Sequence, residues 1–187
     1  MISFKSREQI EIMRQANLIV AEVLAELARH VRPGVRTSEL DAIAEDLTYR
    51  RGARPAFKGY EAGGQVFSRC VCISINEEVV HGIPSETRVL CSGDIVGLDF
   101  GVCYWGFYGY AALTVAVGEI DQESKHLMQT TREALWAGIE QVRIGNRIGD
   151  VSAAIQEHVE RNGFSVVRQF VGHGIGKRLH EEPQVPN

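Results

Sequence analysis

The sequence predicts an α/β chain built from two like halves, and three observations predict it. Capped apolar stripes at helical spacing come in two pairs, β-branched runs lie between the pairs, and a single offset of 111 residues relates the second pair to the first. Ser6 followed by Gln9 makes a capping-box pattern, and Ile10, Met13, Val20, Val23, Leu24 and Leu27 then keep an apolar stripe as far as Pro33-Gly34. A second helix is expected from about Ser38, with Leu40, Ile43, Ala44 and Leu47 on one face and Gly52 suited to a left-handed cap. The runs VCISI (71–75), DIVGLDF (94–100) and ALTVAV (112–117) read as strands bounded by turn formers. After Asp121 a long helix is expected to about Val142, and a shorter one carries Ile148, Val151, Ile155 and Val159 up to Asn162-Gly163.

The repeat rests on several matches at once. VRPGVR (31–36) falls on VRIGNR (142–147), and the same offset carries Gly52 onto Gly163, Leu40 onto Val151 and Leu24 onto Leu135. Residues 1–187 are therefore expected to form one domain, with a first half over about 1–118 and a partial second half over about 119–187. The counterparts of residues 77–118 would fall beyond Asn187. That arrangement predicts an open sheet edge near 165–172, covered by the chain's own tail, a second copy or a partner chain.

Composition removes several function classes. With 187 residues, 44% of them hydrophobic, the chain can bury a core without disulfides or other staples. A formal net charge of −4 lacks the basic excess that neutralising a phosphate backbone requires, so no direct nucleic-acid role is expected. Charges interrupt the N-terminal MISFKSREQIEIM, and no segment approaches the ~20 apolar residues of a membrane span, so a cytoplasmic chain without a membrane partner is expected. Cys70, Cys72, Cys91 and Cys103 fall outside any C-x-x-C spacing and read as reduced strand residues.

Two kinds of residue carry candidate chemistry. Asp99 is the single carboxylate in GLDFGVCYWGFYGY (97–110), and a carboxylate in apolar surroundings needs a cation, a metal or several donors. Without a metal, it should meet backbone N–H groups or a hydroxyl such as that of Tyr110. Of six histidines, His30, His126 and His158 lie in helical segments, whereas His81 (VVHGIP), His173 (VGHGIG) and His180 (LHEEP) do not. The glycines beside His173 allow close backbone approach to a ligand, which suits a metal ligand or an acid/base group. GHGIG lacks the full G-x-G-x-x-G pattern, and HEEP is not H-E-x-x-H.

In order and spacing, KGY (58–60), VCISINEEVVHGIP (71–84), GDIVGLD (93–99), GFSVVRQFVGHGIG (163–176) and LHEEPQVPN (179–187) resemble the type I methionine aminopeptidases. The resemblance implies a pita-bread fold of two pseudo-symmetric α/β halves, the second incomplete here. It also implies a metallo-exopeptidase, a hydrolase that removes the initiator methionine from nascent polypeptides. In that family a pair of divalent ions of the Co, Mn, Fe, Zn or Ni class is held by two aspartates, a histidine and two glutamates. Cations ~3.5–4 Å apart need such bridging carboxylates to offset their repulsion. By resemblance Asp99 and His173 are metal ligands, whereas Tyr110 stands at the second aspartate and both glutamates would lie beyond HEEPQ. Trp105, Tyr108 and Leu113 also stand where the family usually has Asp, His and Arg. One weakly held metal, or none, is expected here.

The same resemblance makes His81 and His180 the catalytic candidates, near the substrate's amino end and its scissile amide. It places Tyr60, Cys72 and Leu179 with these two histidines around the substrate, although the 61–70 connection is longer than usual. The expected partner is an N-terminal methionyl peptide, with the ribosome as a further candidate. Two alternatives stand beside the enzyme. One is an impaired or inactive homologue acting as a peptide- or ribosome-binding module, and the other is a fragment completed by a partner chain; a homodimer is a candidate cover for the open sheet edge.

Overall fold

Helix α1 (Arg7–His30) starts at the expected cap: Ser6 Oγ accepts from the Gln9 N–H, and the Gln9 side chain accepts from the Ser6 N–H. The structure is a computed structural model and describes residues 2–62 and 64–187. These fall into two compact units. One comprises Phe4–Ile120 with Ile175–Leu179, and the other Asp121–Gly174 with His180–Asn187 and the first residues of the chain.

In the first unit, α1 and α2 (Thr37–Arg50) cover a sheet. The sheet contains β1 (Arg54–Pro55), β4 (Val71–Ile75), β5 (Ile95–Tyr104) and β6 (Phe107–Ala116), with β2 (Glu61–Ala62) and β3 (Gln65–Val66) forming a separate ribbon before β4. All pairings are antiparallel, with β4 and β1 beside β5 on one side and β6 on the other. Alternation along β5 divides its residues between two faces. Val96, Leu98, Phe100 and Val102 join Val71, Ile73 and the α1 residues Val20, Val23 and Leu27 in the main core. Asp99 is the direct cross-strand partner of Cys72, so both side chains stand on the opposite face.

The strands run further than the sequence suggests. β5 and β6 extend through the aromatic stretch to Tyr104 and from Phe107, and the expected strands at 94–100 and 112–117 are parts of one long hairpin. Its turn is Trp105-Gly106, with φ of 49° and 79°, and positive φ at both central residues matches the right-handed twist of the strands. Trp105 occupies a position where asparagine or glycine would normally announce the turn, which is why its sequence signal is weak.

The helix pair of the second unit reproduces the first. Shifted by 111 residues, α2 coincides end for end with α4 (Ile148–Arg161), and the left-handed Gly34 and Gly52 fall on the left-handed Gly145 and Gly163. Gly138 of α3 (Gln122–Glu140) has the close helix contact: an added Cβ would lie 2.8 Å from the Ile155 side chain. Burial does not repeat. Leu24 is 5% exposed and its counterpart Leu135 is 55% exposed, and α4 contains no fully buried residue. Among the described residues, this unit has only the ribbon β7 (Gly172–Gly174) and β8 (Glu181–Val185) in place of a sheet.

The edge strand expected near 165–172 does not form, since residues 165–171 are irregular and β7 begins at Gly172. Without a neighbouring strand, backbone groups of this run find other partners. The Asn187 side chain donates to the carbonyls of Val167 and Phe170, at 2.9 and 3.1 Å. No helix among the described residues is long and apolar enough to cross a membrane.

Gly109 fixes how closely α1 lies on the hairpin. A Cβ there would come within 2.5 Å of the Ala16 carbonyl carbon and 2.7 Å of the Asn17 nitrogen, both of them backbone atoms that cannot rotate away. Gly109→Ala should therefore cost about 1–3 kcal/mol in urea unfolding through overpacking. An unchanged unfolding midpoint would show that the helix is not held at this distance.

Candidate active site

Asp99 is met by a phenol. Gly101 and Tyr110 are directly paired across β5 and β6, so Tyr110 lies diagonally from Asp99 on the same face. Its hydroxyl donates to Asp99 Oδ2 at 3.1 Å. The backbone of Tyr110 is also held, its N–H donating to Asn17 Oδ1 of α1 at 3.1 Å. Burial, the nearby Asp99 charge and the hydrogen bond all push the Tyr110 ionisation well above that of an ordinary tyrosine. The phenol keeps its proton and acts as a donor.

Around this pair lies a small apolar cluster. Phe57, Cys72 and Leu179 are buried together, with Phe67, Tyr108 and Tyr110 packed on them. Phe57 meets Tyr110 edge to face, with centroids 5.7 Å apart and planes at 76°. Burial, aided by the negative charge of Asp99, pushes the Cys72 thiol up to about 12. Two of the expected substrate residues, Cys72 and Leu179, are thus brought together. Tyr60 is fixed nearby in sequence by Tyr60 N–H donating to Phe57 and by its own carbonyl accepting from Phe67 N–H.

His81 sits in a loop pinned to β4. Gly82 accepts from the Ile73 N–H at 2.8 Å and donates its own N–H to Ser74 Oγ at 3.1 Å. A Cβ on Gly82 would lie 2.1 Å from the Ile73 oxygen, so only glycine permits this approach. The contact leaves His81 in the left-handed region at φ 63°.

In the other unit, His173 and His180 stand together, their ring centroids 4.2 Å apart. His173 Nδ1 lies 3.0 Å from the Gly174 carbonyl oxygen, which can only accept, so Nδ1 carries the hydrogen of this bond. The glycines beside His173 have a different use from the one expected. A Cβ at Gly174 would be 2.5 Å from the Glu182 carbonyl oxygen, and one at Gly172 would be 3.0 Å from that of Val185. They admit the backbone of β8, and the ribbon holds the histidine.

Sequence reasoning missed Phe57 and Asn17. The signal for Phe57 was its place in RPAFKGY, three residues before Tyr60; for Asn17 it was an amide next to the apolar stripe of the amphipathic helix α1. A two-metal centre does not fit this set. Among the described residues no group of three or more His, Cys, Asp or Glu side chains is placed to hold a metal ion. One Asp99 oxygen already accepts from Tyr110.

Comparison with known proteins places these residues in context. The profile described as "Metallopeptidase family M24" matches residues 11–187. The methionine aminopeptidase of Clostridium acetobutylicum is 51% identical over 187 residues, the whole of this chain and 73% of that protein. Methionine aminopeptidase 1 of Bacillus subtilis is 46% identical, again over 73% of its length. Among solved structures, methionine aminopeptidase from Thermotoga maritima superposes with a TM-score of 0.95 at 44% identity, covering all of this chain and 74% of its own. The prolidase from Pyrococcus furiosus shares the fold, with a TM-score of 0.84 at 23% identity.

The thiols offer a check on the site. Cys91 is exposed, whereas Cys70 and Cys72 are buried and their thiols are both pushed up to about 12. Iodoacetamide at pH 8 should modify Cys91 first and leave Cys70 and Cys72 protected, as read by peptide mass spectrometry. The folded chain holds the Cys72 proton where the unfolded chain, with an ordinary value of 9.0, releases it. Its contribution to stability is complete below pH 9 and is lost as pH rises towards 12. Equal alkylation rates for Cys72 and Cys91 in the native protein would contradict this burial.

Proposed function

The chain belongs to metallopeptidase family M24, and from that membership we propose that it recognises polypeptides by an N-terminal methionine, as the methionine aminopeptidases among its relatives do by name. The family chemistry is metal-dependent hydrolysis of the first peptide bond, and removal of that methionine is the activity this reading assigns. The observation that supports it is the apolar cluster of Phe57, Cys72 and Leu179 beside Asp99. A thioether side chain packs well against aromatic rings and a buried thiol. The carboxylate of Asp99 would lie at the polar end of such a cluster.

By resemblance, His81 and His180 remain the candidates for handling the scissile amide, and Asp99 and His173 those for a metal. The described residues do not complete a metal centre. A second reading, in which the chain binds methionyl peptides without cleaving them, draws on the Tyr110–Asp99 hydrogen bond and is not preferred to the first.

Calorimetry with Met-Ala-Ser, Ala-Ala-Ser and N-acetyl-Met-Ala-Ser tests the proposal. Burying a methionine side chain is worth about 1.5–3 kcal/mol, so Met-Ala-Ser should bind roughly 10- to 100-fold more tightly than Ala-Ala-Ser. Phe57→Ala should remove most of that difference. Free methionine released in Mn(II) or Co(II) supports the hydrolase, and selective binding without release supports the second reading. Equal binding of Met-Ala-Ser and Ala-Ala-Ser contradicts both.

A further inference from the structure

Four residues along β5 from Asp99, on the same face of the sheet, the first unit has a cavity of about 340 Å³. Its walls include Tyr49, Arg54, Lys58, Tyr60, Cys103 and Tyr108. Arg54 and Tyr108 are both direct cross-strand partners of Cys103, so the three form a row across β1, β5 and β6 whose side chains share one face. Tyr49 adds a ring from the last turn of α2, and the Phe57–Tyr60 and Tyr60–Phe67 backbone bonds hold the loop that carries Lys58 and Tyr60. The cavity is therefore built on hydrogen-bonded backbone.

Its charges are not balanced. Lys58 is paired with Glu45, and the neighbouring Arg50 and Arg51 are paired with Asp46 and Glu22. The Arg54 backbone pairs with Cys103, and the charge of its side chain acts on the Tyr108 phenol rather than on a carboxylate partner among the described residues. A guanidinium with five N–H donors borders a cavity whose other walls are three tyrosines, Lys58, Cys103 and small residues of the 55–59 segment. We propose that this cavity binds an organic phosphate carrying a flat ring, of the size of a nucleoside monophosphate, with the phosphate on Arg54 and the ring against the tyrosines. A carboxylate has two oxygens to offer, whereas a phosphate can use the Arg54 fork together with the remaining Lys58 protons and a phenolic hydroxyl. Tyrosine faces supply stacking that is indifferent to the identity of the base. The volume suits a ligand of this size, at the small end of ligand cavities. Tyr108 also packs on the cluster proposed for methionine, whereas Arg54 and Tyr49 line this cavity alone and distinguish the two.

The test is titration of the full chain with adenosine 5′-monophosphate, followed by saturation-transfer NMR and calorimetry, with adenosine and inorganic phosphate as separate arms. Saturable binding of the nucleotide is expected, weakening at higher salt, with each half-ligand binding at least tenfold more weakly. Arg54→Gln, on an exposed strand position and so compatible with folding, should weaken the nucleotide about tenfold or more. Tyr49→Ala should weaken adenosine as well as the nucleotide, which separates the stacking wall from the charge. Absence of binding at millimolar nucleotide, or binding unchanged by Arg54→Gln, would overturn the proposal. Inorganic phosphate binding as tightly as the nucleotide would overturn the assignment of a ring-bearing ligand.

Discussion

A half-buried carboxylate needs a partner, and the site face of this chain is arranged around the one that Asp99 has. Its position is set by strand pairing that leaves no freedom of face. Asp99 is opposite Cys72 on one side and opposite Ala112 on the other, and a slip of one residue would turn it into the main core. The Tyr110 hydroxyl reaches it from the neighbouring strand. Tyr110 is itself held by Asn17, and α1 can bring Asn17 that close because Gly109 has no side chain. The Tyr110 donor thus depends on a helix, a hairpin and a glycine.

This arrangement explains why the site is aromatic. A carboxylate among metal ligands would sit beside other charges, and an anion facing a neutral phenol gains from a dry surround in which the hydrogen bond is stronger. Phe57 packs against the Tyr110 ring, and the buried Cys72 thiol stays protonated beside the negative charge. The family's relatives are named for removing methionine, and the apolar cluster beside Asp99 is suited to that side chain whether or not hydrolysis follows.

Much of this was legible in the sequence because much of it is local. The Ser6 cap and the glycines that end helices depend on residues within a few positions of one another, and the repeat of α2 in α4 shows as local patterns matched at one offset. Asp99 stood out as one carboxylate in an apolar run, and a Tyr110 hydroxyl was among the partners expected for it. The hairpin length was not legible, since GVCYWGFYGY has few β-branched residues and its turn lacks an Asn-Gly signal. The glycines around His173 were misread because close approach is visible in a sequence while the approaching group is not; it is the backbone of β8. Exposure of Leu135 was hidden for the same reason. Its helical stripe matches that of Leu24, and only the structure shows which stripe has a sheet beneath it.

Tyr110 holds Asp99 by a hydrogen bond, and metal content measures most directly what that bond does to the site. The protein and its Tyr110→Asp variant would be loaded with Mn(II), dialysed, and assayed by mass spectrometry of the metal, with circular dichroism to confirm that both are folded. The account predicts no stoichiometric manganese on the unaltered chain, and greater retention by the variant, in which a second carboxylate replaces the phenol. Two equivalents of tightly held manganese on the unaltered chain would contradict it.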